Sequence, residues 1–396
     1  MGAPGRGSEQ NKYSPKPRPC KLKQPPIPGP VEFESDVLAA MATPAHSHVS
    51  AEFIEVFGQA LDDLRTVFAA PDGMPFVIPG SGTCAMELAV ANLVEPGDRA
   101  VLTETGYFSW RMRDLLERHG AVVDMVPAPA GSAPSVEAVE AALRKGAKLL
   151  VVTHVDTSTG VLAPLAEYAA AAHRHGALVL ADGVCSVGGQ ELRMQEWGVD
   201  VVLTGSQKAL AVPAGLALVM ARPAALQAFR ARRAPVGSYY ADWGLWLPVM
   251  EAYLERKAAY FGTPAVNNVF ALGTSLRQIL AEGMEARWQR HARLSRAFKA
   301  GAAALGLEQI PAEAYQAVTL TTLYYPQGKD ASGLKAVTEA GVTLAGGLYP
   351  ELKARYFRVG HMGTARIGDL LTTLAAIEAA YDLPRGVGVA AAQQAW

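Results

Sequence analysis

The stretch LVLADGVCSVGGQELRMQEWGVDVVLTGSQK, residues 178–208, decides the fold. It holds two short, largely aliphatic runs, Leu178–Ala181 and Val199–Thr204. Each ends on residues with chemistry to offer: Asp182 after the first, Gly205-Ser206-Gln207-Lys208 after the second. Strands this apolar belong inside a sheet covered on both faces. Outward from it the unit repeats. Phe76–Ile78, Ala100–Leu102, Leu149–Thr153 and Leu216–Met220 are further strand-sized runs. Helical patterns separate them at Cys84–Leu93, Trp110–Arg118, Val136–Leu143 and Leu165–His175. This alternation predicts an α/β chain with a mostly parallel sheet under helices.

An amphipathic helix is expected at Ala51–Phe68, from the spacing of Phe53, Phe57, Leu61 and Leu64. Past residue 280 the pattern changes. A long helix over Gly283–Leu305, a strand at Ala317–Tyr325, a helix at Ser332–Ala340, short strands at Val342–Leu344 and Tyr356–Val359, and a helix at Asp369–Tyr381 predict a smaller α+β domain. The expected division is a disordered leader 1–24, a large domain 25–280, a small C-terminal domain 281–385 and a tail 386–396, the Ala-rich stretch after Leu383 showing no element of its own.

Lys and Arg number 36 against 37 Asp and Glu, a net charge of −1 that argues against nucleic-acid binding. A hydrophobic share of 50% excludes a disordered chain. No apolar run reaches the roughly 18–20 residues that span a bilayer. Cys20, Cys84 and Cys185 are too scattered for a disulfide framework or a CxxC metal pair. The leader lacks the apolar core of a secretory signal, and its prolines oppose the amphipathic helix of a mitochondrial transit peptide. The C-terminal Gln-Gln-Ala-Trp is not the Ser-Lys-Leu peroxisomal address. A cytoplasmic protein is expected, with a mitochondrial location the alternative.

In an open parallel sheet, ligands bind at the carboxyl ends of the strands. Gly80-Ser81-Gly82-Thr83 follows the first strand and opens a helix, a plausible phosphate cradle of free N–H groups and hydroxyls. Asp182 could equally cap a helix, and Lys208 could be a surface amine. Their combination is more specific than any part. A lysine that forms a Schiff base needs a carbonyl-bearing cofactor, and pyridoxal phosphate also needs a phosphate cradle and a carboxylate for its ring nitrogen.

Several stretches carry a family resemblance: Pro28-Gly29-Pro30, Gly80-Ser81-Gly82-Thr83, Leu93–Asp98, Thr153-His154-Val155-Asp156-Thr157-Ser158-Thr159-Gly160, Ala181–Ser186, Gly205–Leu210, Tyr260–Pro264 and Phe357–Gly360. The chain resembles class V pyridoxal-phosphate aminotransferases of the alanine–glyoxylate / serine–pyruvate branch, over roughly residues 25–381. The resemblance implies a fold-type I homodimer. Lys208 would carry the cofactor and Asp182 would pair with its ring nitrogen. Ser81, Gly82, Thr83 and Gln207 would bind its phosphate, Thr83 standing where the family often has His. Thr157 would bond the ring hydroxyl. Phe108 would stack on the ring, with Trp110 close enough in sequence to compete, and Val184 would cover the other face. Tyr260 and Thr263 would reach the phosphate in the neighbouring subunit. Arg358 would hold the substrate carboxylate, with Gly29 beside it. His46 and His48 are candidates for the entrance.

The implied reaction moves an amino group from alanine, or serine, to glyoxylate and yields glycine. No second cation is evident beside Arg358, which disfavours dicarboxylic substrates. The rivals are a sister transaminase using serine, ureidoglycine or an aminophosphonate, a desulfurase, and a non-catalytic binding module. The desulfurase would need a cysteine in the later half of the chain, where there is none. Intact Lys208, Asp182 and Arg358 oppose the binding module.

Overall fold

The computed structural model describes residues 27–396; the leader, with Cys20, lies outside them. Among the described residues there are ten strands: β1 (Met74–Pro79), β2 (Arg99–Thr103), β3 (Val122–Val126), β4 (Leu149–Thr153), β5 (Leu178–Asp182), β6 (Val201–Gly205), β7 (Leu216–Ala221), β8 (Leu320–Tyr324), β9 (Ala345–Gly346) and β10 (Tyr356–Gly360). The first seven form one sheet in the order β1-β7-β6-β5-β4-β2-β3, and the last three a small sheet, β8-β10-β9.

Pairing is parallel from β3 through β2, β4 and β5 to β6. β7 runs against both β6 and β1. β1 therefore points the same way as β6, and the carboxyl ends of six strands open on one edge. In register, Thr153 sits beside Asp182, and Asp182 beside Leu203. The middle strands β4 and β6 are buried throughout, as their unbroken aliphatic runs require.

β3 went unread in the sequence. It is an edge strand, it carries Asp124, and Val122 at its start is exposed. Residues 221–280, rich in Tyr and Trp, are mainly three helices, Pro223–Arg230, Trp243–Leu254 and Val266–Glu282. The Ala-rich tail is not featureless: Val387–Ala395 is a helix. Its first turn is capped by Glu378, whose carboxylate accepts from Gly386 N at 2.6 Å and Gly388 N at 2.8 Å. It packs on the helix Met284–Ala304, where Gly301 faces Gly388 so closely that a Cβ at Gly301 would lie 2.6 Å from the Gly388 carbonyl oxygen.

Apolar side chains gather in two main clusters. One surrounds the large sheet, from Val37 to Ile279; the other lies between the small sheet and the C-terminal helices, from Leu294 to Ala392. Among the described residues, no helix is long and apolar enough to cross a membrane.

Candidate active site

A cavity of about 210 Å³ opens at the carboxyl edge of the large sheet. It is bounded by Gly29, Ser81, Gly82, Thr83, Phe108, Thr157, Asp182, Val184, Gln207 and Lys208, so ten sequence-predicted residues converge on one space. Met86, Arg111 and Val155 complete the wall and were not anticipated. A larger cavity of about 480 Å³ lies elsewhere. Its cations already pair with carboxylates of the same wall, Arg287 and Arg290 with Glu282, and Arg366 with Glu34.

Lys208 is buried, which excludes a surface amine. Its Nζ donates to the Pro28 carbonyl. Desolvation, followed by smaller effects that include the nearby Arg358 charge, lowers its pKa and favours the neutral, nucleophilic amine. Gly29 makes the approach possible. Its φ of +102° suits glycine, and a Cβ there would lie 2.5 Å from Lys208 Cδ. The loop carrying Lys208 is buttressed from below by Arg287, whose Nη2 donates to the Ala209 carbonyl at 2.7 Å.

Asp182 is 3% exposed and accepts from Val184 N at 2.9 Å. Burial pushes its pKa up to about 7, against the pull of that hydrogen bond and of Arg111 and Lys208. A carboxyl whose pKa is raised in a dry site lacks a directly paired cation, which a protonated ring nitrogen would supply.

Ser81 caps the helix Gly82–Leu93, its Oγ accepting from Cys84 N at 3.3 Å. The cradle packs tightly on the end of β6: a Cβ at Gly205 would lie 3.1 Å from Gly82 N. Gln207 Oε1 is buried without a hydrogen-bond partner. Amide orientation follows the network, so turning the amide presents a donor to an anion at this point. The carbonyl-seeking lysine, the ring-nitrogen carboxylate and the cradle fit pyridoxal phosphate.

Asp156, quoted in the sequence motif but given no role there, positions Phe108. Its Oδ2 accepts from Phe108 N at 3.2 Å, and its Oδ1 accepts from Ser158 Oγ at 2.5 Å. Ser158 Oγ in turn accepts from Tyr107 N at 2.9 Å. Both anchor the start of the helix Tyr107–Arg118, at its positive end. Phe108 thereby faces the cavity, while Trp110 turns away to donate to Glu104 Oε1 at 2.7 Å.

Arg358, on β10, stands beside the cavity rather than in its wall. Its Nε donates to the Gly346 carbonyl at 2.8 Å and its Nη1 to the Thr157 carbonyl at 3.2 Å. Tyr260 and Thr263 are exposed and do not line the cavity of their own chain. His46 pairs with Glu52 at 3.3 Å and packs on Phe270, and His48 lies against Tyr260; neither lines the cavity. Cys185 is buried, its carbonyl accepting from Thr319 Oγ1 at 2.8 Å, and packs as a small side chain.

Arg111 is a cation of the cavity wall that the sequence did not single out. It rises from the helix Tyr107–Arg118 one turn beyond Phe108 and donates from Nη1 to Thr83 Oγ1 at 2.9 Å. No local pattern in the sequence sets it apart from the other arginines of that helix.

The model of the aminotransferase class-V family matches residues 31–369. The alanine–glyoxylate aminotransferase 1 of Saccharomyces cerevisiae is 34% identical, over 85% of this chain and 91% of its own length. The L-aspartate–glyoxylate aminotransferase of Paracoccus denitrificans is 33% identical, over 93% and 94%. Among solved structures, the alanine–glyoxylate aminotransferase of Nostoc sp. superposes with a TM-score of 0.87 at 29% identity, over 95% of this chain and 99% of that one. The chain therefore belongs to the class V aminotransferase family, with the fold-type I architecture and pyridoxal 5'-phosphate as its cofactor.

Proposed function

We propose that the protein transfers the amino group of alanine to glyoxylate, giving pyruvate and glycine. The observation that carries this reading is the setting of Arg358. Two backbone carbonyls hold its guanidinium beside the cavity, and alanine and glyoxylate each bring one carboxylate to it. The yeast and Nostoc relatives bear the same activity in their names.

Bound pyridoxal phosphate supplies a carbonyl for a primary amine and an electron-withdrawing ring. Lys208 Nζ would hold that carbonyl and, as a neutral amine beside the substrate, would carry the proton from the substrate Cα. Asp182 keeps the ring nitrogen protonated. Phe108 and Val184 would cover the cofactor ring and exclude water, and Thr157 would orient it through a hydrogen bond to the ring hydroxyl. Ser81, Gly82, Thr83 and Gln207 anchor the phosphate. Tyr260 and Thr263, exposed in the single chain, would reach that phosphate across a homodimer. On this reading residues 25–280 carry the cofactor and 281–385 bring Arg358 to it, a division supported by the two apolar clusters.

A second reading, a dicarboxylic donor such as aspartate, is favoured by Arg111 and by the Paracoccus relative. The deciding experiment is a half-reaction panel on the holoenzyme with alanine, serine, glutamate and aspartate, followed by absorbance. Fastest conversion with alanine supports the proposal; aspartate or serine ahead of alanine overturns it. Borohydride reduction and peptide mapping should label Lys208.

A further inference from the structure

The cradle has to receive a phosphate monoester carrying close to two negative charges. Ser81, Gly82, Thr83 and Gln207 meet it with neutral donors alone. The cavity wall holds two basic side chains, Lys208 and Arg111. Lys208 is engaged by the cofactor carbonyl, which leaves Arg111.

Arg111 is poised at the cradle. Its Nη1 donates to Thr83 Oγ1 at 2.9 Å. Its guanidinium lies over the Phe108 and Tyr107 rings, 4.9 and 5.2 Å from their centroids. Its Nη2 reaches Tyr107 Oη at 3.5 Å, a long contact with a neutral group that leaves the guanidinium charge uncompensated. Among the described residues, no carboxylate pairs with it. Thr83 Oγ1 already accepts from Arg111, so its own proton is free to be donated onward.

We propose that Arg111 is the charged residue of the phosphate site, closing with Ser81, Gly82 and Thr83 a cradle that would otherwise be neutral. This rests on the placement of pyridoxal phosphate in the cavity given above. With Arg111 committed to the phosphate, Arg358 is left as the cation for substrate, which favours donors with one carboxylate.

The test is cofactor affinity, read without turnover. Apoprotein of the full chain is titrated with pyridoxal phosphate and, separately, with pyridoxal, which has the carbonyl and ring but no phosphate. Arg111→Met should weaken pyridoxal phosphate on the order of tenfold to a hundredfold, the scale of one charge-assisted hydrogen bond, and Arg111→Lys should recover part of it. Pyridoxal should bind wild type and both variants alike, which also shows that the ring pocket is intact. Inorganic phosphate should raise pyridoxal affinity in wild type and not in Arg111→Met. Unchanged pyridoxal phosphate affinity in Arg111→Met overturns the proposal. If pyridoxal phosphate affinity is unchanged in Arg111→Met and the equilibrium binding of aspartate to the holoenzyme is weakened instead, Arg111 belongs to the substrate side and the proposal is overturned. If wild type binds pyridoxal and pyridoxal phosphate equally weakly, the placement of the cofactor itself has failed.

Discussion

A Cβ on Gly29 would lie 2.5 Å from Cδ and 2.8 Å from Nζ of Lys208. The loop before the helix Ser35–Met41 thus packs directly on the lysine side chain, and glycine is what leaves it room. Gly29→Ala has two costs. The φ of +102° is strained for alanine, at about 1 kcal/mol or more, and the methyl displaces Nζ from the Pro28 carbonyl. The expected outcome is a folded protein that captures pyridoxal phosphate at least about tenfold more weakly, seen by absorbance titration. Wild-type affinity in this variant would show that Lys208 does not need that path.

Asp182 gives a pH dependence with a definite sign. Burial holds its folded pKa at about 7, above the 3.8 of a free aspartate. The folded apoprotein therefore keeps a proton that the unfolded chain has released, and its stability falls as pH rises between those values. Asp182→Asn removes that loss. In urea unfolding of the apoproteins, the variant should gain on wild type from pH 4 to pH 7, by at most about 1.4 kcal/mol per pH unit. The gap should narrow with cofactor bound, because the ring nitrogen then gives wild type its cation. A gap independent of pH would mean that Asp182 is ionised in the folded apoprotein throughout.

The sheet and the placing of Asp182 and Lys208 at its edge were legible because continuous apolar strands are a local pattern. Asp182 and Lys208 follow such strands directly. Arg111 was not legible. It is an ordinary helical arginine until Asp156 and Ser158, nearly fifty residues away in sequence, fix where its helix begins. The tail helix was hidden for a related reason. An Ala-rich run has little contrast between its faces, and Val387–Ala395 is specified by the Glu378 cap and by packing on Met284–Ala304. Exposed Tyr260 and Thr263 carry no local signal either; only the family resemblance singled them out.

Asp156 provides a test of positioning. Removing its carboxylate leaves the Phe108 N–H and the Ser158 hydroxyl without their acceptor. Buried groups so orphaned cost about 1–3 kcal/mol. Asp156→Ala should lower the melting midpoint and loosen the ring pocket, weakening pyridoxal and pyridoxal phosphate together. That parallel loss separates it from Arg111→Met, where the phosphate-bearing ligand alone should suffer. A wild-type melting midpoint in Asp156→Ala would remove the positioning role.

Arg358 bears on substrate directly. Its Nε and Nη1 are held by the Gly346 and Thr157 carbonyls, which orients the guanidinium without neutralising it. A planar fork suits a carboxylate, and losing a charge-assisted hydrogen bond in a desolvated site costs about 1.5–3 kcal/mol. Arg358→Ala should therefore slow both half-reactions, with alanine and with glyoxylate, on the order of tenfold to a few hundredfold. Arg358→Lys should recover little, since an ammonium cannot make the bidentate pair. Cofactor occupancy should stay near wild type, because Arg358 stands beside the cavity and not at the cradle. Stopped-flow of each half-reaction, with occupancy measured in parallel, separates the outcomes. A normal rate with alanine, or loss of cofactor from Arg358→Ala, would move the carboxylate site elsewhere and with it the argument for a donor as small as alanine.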